Sequence, residues 1–155
     1  MGIICELYRI KDATIDELKA MPAEQSENFL LENYASIYGI YHHENDTVFS
    51  MDKGWAITRF LIQQCDASEN NCLSLLDEHF LKSDAVKELQ KELSKLEISD
   101  LQTVYNKQKL ITNNIYRGDR DFSWDYIKNF HFKVYQVAFQ KAVEYNDGIV
   151  TYIEF

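Results

Sequence analysis

Strand-forming sequence sits at the two ends of this chain and almost nowhere between them. The opening MGIICELYRI and the closing IVTYIEF are short and rich in β-branched and aromatic residues. They read as a strand over residues 2–10 and a second strand at the C-terminus. The long segments between them are charged and periodic, as helices are. That arrangement restricts the fold to the α+β class. It implies a single compact domain over residues 1–155, with several helices packed on a small sheet that includes the N-terminal and C-terminal strands, the two being candidate neighbours. A chain of 155 residues is long enough to bury one core of its own.

The helices announce themselves by their ends. Thr14-Ile-Asp-Glu17 has the form of a capping box, with a hydroxyl at the cap and a carboxylate three residues on, so a short helix is expected through about Met21. Pro22, the only proline, suits the first turn of a second helix carrying Phe29, Leu30 and Tyr34 and stopping near Gly39. Residues 41–49 read as a loop with a brief extended piece, and Lys53 to about Gln64 as a helix. Residues 66–83 fit no single pattern. After Ser83, the side chains of Val86, Leu89, Leu93 and Leu96 recur at three- and four-residue steps, an apolar stripe on a charged cylinder. Ser99-Asp-Leu-Gln102 repeats the capping-box form. The longest helix is expected from about Ser123 to Tyr145, with Ile127, Phe130, Val134, Ala138 and Ala142 inward and Asn146-Asp-Gly148 as its stop.

Charge narrows the partners. With 25 acidic against 16 basic residues the formal charge is −9, which repels phosphate backbones and argues against nucleic acid as a partner. A basic protein surface would be attracted instead. Tyrosine (10) and phenylalanine (9) supply most of a high aromatic fraction. Those rings favour a dense core, and an aromatic surface patch would suit a homodimer. Cys5, Cys65 and Cys72 are odd in number and lack zinc spacing, as expected of reduced thiols. Glu6 and Arg9 interrupt any signal-like apolar run, and no segment reaches the length of a membrane span. A cytoplasmic protein without membrane contact is the expectation.

The stretch SMDKGWAITRFL, residues 50–61, is the most deliberate-looking. Ser50 or Asp52 can accept hydrogen bonds from free amides at a helix start, and Asp52 suits the positive end of the helix dipole. Trp55, Ala56, Ile57, Phe60, Leu61 and Ile62 spread around the helix circumference, which argues for a largely buried helix. We therefore read Asp52 as a cap, Trp55 as a core anchor and Lys53 as a surface charge.

The same residues carry a resemblance. Asp52, Lys53 and Trp55 are similar to the Asp-Lys-x-Trp signature of the YfbM-like family, uncharacterised bacterial proteins classed as a domain of unknown function. An opening Met-Gly strand, an amphipathic helix like DAVKELQKELSKL, an aromatic-rich late helix and the tail DGIVTYIEF agree in order. Where the family has a Tyr-Pro before its last helix, this chain has Ile115-Tyr-Arg117 followed by Trp124. The resemblance implies an α+β fold and a cytoplasmic location, and brings no established activity.

Other groupings have two readings each. His42-His43-Glu44 with Asp46 resembles a ligand set, but adjacent histidines in extended chain point opposite ways and no third ligand is evident. No metal or cofactor is expected. His131 flanks the apolar stripe of the long helix and reads as a satisfied, partly buried histidine, with a general base as the minority reading. Tyr116-Arg-Gly-Asp-Arg-Asp121 offers two arginine forks for a carboxylate or phosphate, against the blander reading that its charges pair with one another. No phosphate-binding glycine loop, dinucleotide fingerprint or serine elbow is present. A non-catalytic protein-binding module, for instance of immunity type, is thus the first functional expectation. The alternative is an enzyme or ligand-binding protein with a pocket near Asp52, Trp55, Tyr116, Trp124 and His131.

Overall fold

The computed structural model describes residues 2–34, 47–65 and 72–154. Strand β1 (Ile4–Ile10) leads into helices α1 (Asp12–Ala20) and α2 (Ala23–Tyr34), then β2 (Val48–Met51) and α3 (Trp55–Gln64). A 3₁₀ segment (Cys72–Asp77) and the short β3 (Phe80–Leu81) precede α4 (Ser83–Ser94), α5 (Ile98–Val104) and α6 (Lys107–Thr112). The last third is a single turn α7 (Trp124–Tyr126), a π-helical segment (Ile127–Phe132), α8 (Lys133–Glu144) and β4 (Gly148–Glu154). The four strands form one antiparallel sheet in the order β2-β1-β4-β3. The terminal strands are neighbours, as their sequences suggested, and pair from Ile4 opposite Glu154 to Ile10 opposite Gly148.

The sheet is covered on both faces, because its strands alternate between two apolar sets. Cys5 and Leu7 of β1, with Phe49, Met51 and Ile149, face the larger core built with α3, α4, α5 and α8. Tyr8, Ile10, Val48 and Val150 face the smaller one, closed by Ile15 and Leu18 of α1 and Leu30 of α2. A period-2 strand can feed two cores only when helices lie on both sides. The stripe on α4 behaves as expected: Val86, Leu89 and Leu93 are buried.

Three helix starts differ from the sequence reading. Helix α1 begins at Asp12 rather than in the Thr14–Glu17 box. The Asp12 carboxylate accepts from the Ser83 amide (2.8 Å) and hydroxyl (2.6 Å), so it holds the first turn of α4 in place. Helix α5 starts one step before the Ser99 box, with the Glu97 amide donating to Asp100 at 2.8 Å. Ser50 caps nothing; it lies in β2, paired with Glu6. At Asp12 and Ser50 a tertiary partner or strand pairing outweighed a local capping preference, whereas at α5 one local box, Glu97 with Asp100, replaced another. The expected helix stop at Gly39 and the His42–Asp46 grouping lie outside the described residues.

Candidate functional site

Between the end of β2 and the start of α3 the chain turns through Asp52, Lys53 and Gly54. The Asp52 carbonyl accepts from the Trp55 amide at 3.2 Å, while its carboxylate meets the Gly54 amide only at a long 3.4 Å. The expected side-chain cap is therefore a weak contact. The carboxylate is instead held across the structure: Oδ1 lies 2.7 Å from His131 Nε2, and Oδ2 accepts from the Tyr126 hydroxyl.

The π-helical segment explains how one carboxylate meets both. Its i→i+5 closure brings residues five apart to one side of the helix, and Tyr126 and His131 are five apart. It also resets the inward stripe. Phe130, expected inside, is half-buried, whereas His131 is completely buried. Tyr126 and Phe130 stack at 5.5 Å, and each meets the imidazole edge-on at 4.8 Å. On the remaining side Gly54 admits the ring, since a β-carbon there would stand 2.9 Å from both ring nitrogens.

His131 is thus more enclosed than the sequence suggested, and only half satisfied. A carboxylate can only accept, so Nε2 carries the proton and Nδ1 is the bare nitrogen; it is buried without a hydrogen-bond partner among the described residues. Burial is the dominant influence on the imidazole and lowers its pKa below the ordinary 6.5, although Asp52 pulls the other way. For Asp52 burial raises the pKa. The hydrogen bonds from Tyr126, His131 and the Gly54 amide outweigh it, and the carboxyl titrates below 3.8. At neutral pH the pair is an ionised carboxylate on a neutral imidazole.

Asp52 is about one-third exposed, and it opens onto a cleft of about 360 Å³. Lys53, Arg117, Arg120, Asp121, Ser123 and Tyr126 supply the cleft's other polar side chains, and Ile57, Phe122 and Ile127 its apolar wall. The charges of the 116–121 segment do not neutralise one another as expected. Asp121 pairs with Lys107 of α6 at 3.2 Å, and the guanidinium groups of Arg117 and Arg120 have no ion pair or hydrogen bond among the described residues.

Of the residues singled out in the sequence, Asp52 and Lys53 line this cleft and His131 stands behind Asp52. Trp55, Tyr116 and Trp124 do not line it. The Trp55 indole donates to the Ile3 carbonyl (3.2 Å) and the Tyr116 hydroxyl accepts from the Ile3 amide (3.1 Å), so both anchor the start of β1. Trp124 packs edge-on against Tyr105 (5.5 Å) and Phe122 (5.0 Å). Tyr126 was missed because no α-helical spacing places it with His131. The three cysteines are free; burial pushes Cys5 up to about 12 and Cys65 to about 11, which leaves neither a thiolate nucleophile. Among the described residues no group of His, Cys, Asp and Glu could hold a metal ion, and no helix is long and apolar enough to cross a membrane.

The model of a family described as a domain of unknown function (DUF1877) matches residues 1–152. No curated protein matches the sequence. Among solved structures, the chain is similar to a protein of unknown function, YfbM from Escherichia coli, with a TM-score of 0.63 and 17% identity over 97% of this chain and 99% of that one. At that identity the likeness establishes the fold.

Proposed function

Because the chain belongs to the DUF1877 family, whose function is unknown, its role has to be argued from its own residues, and we propose that it is a small-ligand-binding protein whose site is the cleft at the β2–α3 corner. The observation that carries this reading is Asp52: ionised, partly exposed at the cleft, and clamped by a wholly buried neutral histidine. Orienting a surface carboxylate does not require burying an imidazole with one nitrogen unpaired. Such an arrangement costs stability unless the carboxylate's position matters.

Held this way, Asp52 is a fixed acceptor for a ligand hydroxyl or amine. His131 is a positioning residue, because it stands behind Asp52 and does not itself line the cleft. The lowered pKa makes Asp52 a weak base at neutral pH, which favours binding over proton abstraction. The protein-binding reading rests on net charge and size. Among the described residues the exposed large apolar side chains Leu31, Ile111, Tyr126 and Tyr145 belong to four separate parts of the chain.

A fragment screen by NMR on the full chain tests the proposal. Fragments carrying a hydroxyl or amine should shift the Gly54 and Tyr126 signals, and Asp52→Asn should weaken their binding about tenfold, as loss of a charge-assisted hydrogen bond does. If a protein partner binds at a surface that leaves those signals unmoved, and no fragment moves them, the reading is wrong.

A further inference from the structure

We propose that the ligand of this cleft is a small organic phosphomonoester, gripped by Lys53, Arg117 and Arg120. The inference rests on the small-ligand reading above and names the class of ligand. Its basis is a local inversion of charge. The chain is strongly acidic, with 25 acidic residues against 16 basic ones, and its other two arginines are both paired: Arg9 with Asp147 at 2.5 Å and Arg59 with Asp77 at 3.1 Å. Arg117 and Arg120 are unpaired among the described residues, although Asp119 and Asp121 are their neighbours in sequence, and both line the cleft that Lys53 also lines.

Local structure holds these cations where they are. Two tight turns, closed by Gly118 N–H to the Ile115 carbonyl (2.8 Å) and Arg120 N–H to the Arg117 carbonyl (3.0 Å), fix the arginine segment. Arg117 sits at φ 61°, in the left-handed region that side chains other than glycine rarely adopt. The stem of Lys53 lies across Gly2, close enough that a β-carbon there would be 2.7 Å from its Cγ.

Charge and shape then select the ligand. Two carboxylates, Asp52 and Asp121, line the cleft with three cations; Lys107 pairs with Asp121 at 3.2 Å, and with it the four cations exceed the two carboxylates by two positive charges. A phosphomonoester carries nearly two negative charges at neutral pH and offers three acceptor oxygens, which suits two guanidinium forks and an ammonium. A carboxylate would neutralise half of that excess. Ile57, Phe122 and Ile127 give the organic part an apolar wall, and about 360 Å³ fits a small molecule. The net charge of −9 turns away a polyanion such as nucleic acid. Asp52, which would repel the phosphate, suits a hydroxyl elsewhere on the ligand.

Titration calorimetry on the full chain at low salt, with phenyl phosphate, benzoate, inorganic phosphate and benzyl alcohol as probes, decides the matter. Phenyl phosphate should bind about tenfold or more tightly than benzoate, with inorganic phosphate competing weakly because it lacks the apolar part. Lys53→Gln and Arg120→Gln, both at exposed positions, should each weaken phenyl phosphate about tenfold with unchanged circular dichroism, and Arg120→Lys should restore part of the loss. Equal binding of phenyl phosphate and benzoate, or indifference to both glutamine variants, overturns the assignment. If benzyl alcohol or a neutral fragment binds at Gly54 and Tyr126 while no anion does, the phosphate assignment fails and the small-ligand reading survives. If nothing binds, both fall.

Discussion

Two clefts of similar size open on this molecule, and they treat their charges in opposite ways. The groove among α2, α3, the 3₁₀ segment and β4 is about 290 Å³ and is lined by Glu27, Arg59, Asp77 and His79. Each of those has a partner within its wall: Arg59 pairs with Asp77, Glu27 accepts from the Tyr152 hydroxyl at 2.5 Å, and His79 Nδ1 donates to the Thr151 carbonyl. The cleft at the β2–α3 corner, about 360 Å³, leaves Lys53, Arg117 and Arg120 without an ion pair among the described residues and fixes Asp52 from behind with a buried histidine. A wall whose polar groups satisfy one another has little to offer a ligand. Unsatisfied groups on a rigid frame do, and that difference, rather than volume, separates a site from a surface depression.

The sharpest way to break the contrast is Gly54→Ala. A β-carbon at Gly54 would collide with the imidazole, which is enclosed by Tyr126 and Phe130 and cannot swing aside. Overpacking of this kind costs about 1–3 kcal/mol, and displacing the ring from Asp52 adds the loss of a buried hydrogen bond. Urea denaturation should show a loss near the upper end of that range. A loss under about 0.5 kcal/mol, within the range of an ordinary surface change, would mean that His131 is not held as described.

A second, intermediate effect lies in pH. The folded His131 titrates below 6.5, so below that pH the unfolded chain takes up a proton that the folded chain refuses. Its contribution is complete above 6.5 and is lost as pH falls toward the folded value. Asp52 acts in the same direction further down: its contribution is complete above 3.8 and fades as the carboxylate is protonated. The urea midpoint should therefore decline as pH falls below 6.5. His131→Gln, whose amide can still donate to Asp52, should flatten that part of the profile. An unchanged slope in the variant would show that the imidazole is not held neutral.

The saturated parts of the molecule were the more legible in sequence. Strand alternation at the two ends gave the neighbouring β1 and β4, and the α4 stripe gave its buried face, because both depend only on periodicity. In SMDKGWAITRFL the local reading of Asp52 gave way to a tertiary one. Asp52 looked like a cap because local rules see only local amides, whereas its partners are 74 and 79 residues away. The π-helical segment hid Tyr126, since a one-residue widening of a helix has no compositional signature. The arginines at 117 and 120 were visible, yet Asp121 pairs with Lys107 instead, which no pattern connects to it.

The smallest expected effect bears most directly on the comparison. In the saturated groove, Asp77→Asn removes half of a pair whose arginine is largely buried and whose carboxylate is 60% exposed, which costs up to about 1 kcal/mol. In the open cleft, Arg120→Gln removes a cation with no ion-pair partner among the described residues from a wall that two others also line. It should change stability by less than about 0.5 kcal/mol, the range of ordinary surface substitutions. At low salt the sign should be stabilising, because like charges repel, and the gain should vanish as added salt screens them. Charges that contribute to the fold are missed when removed; charges kept for a ligand are missed only when the ligand is present. A clear destabilisation by Arg120→Gln would make the two clefts alike, and the three cations would then be part of the frame rather than of a site.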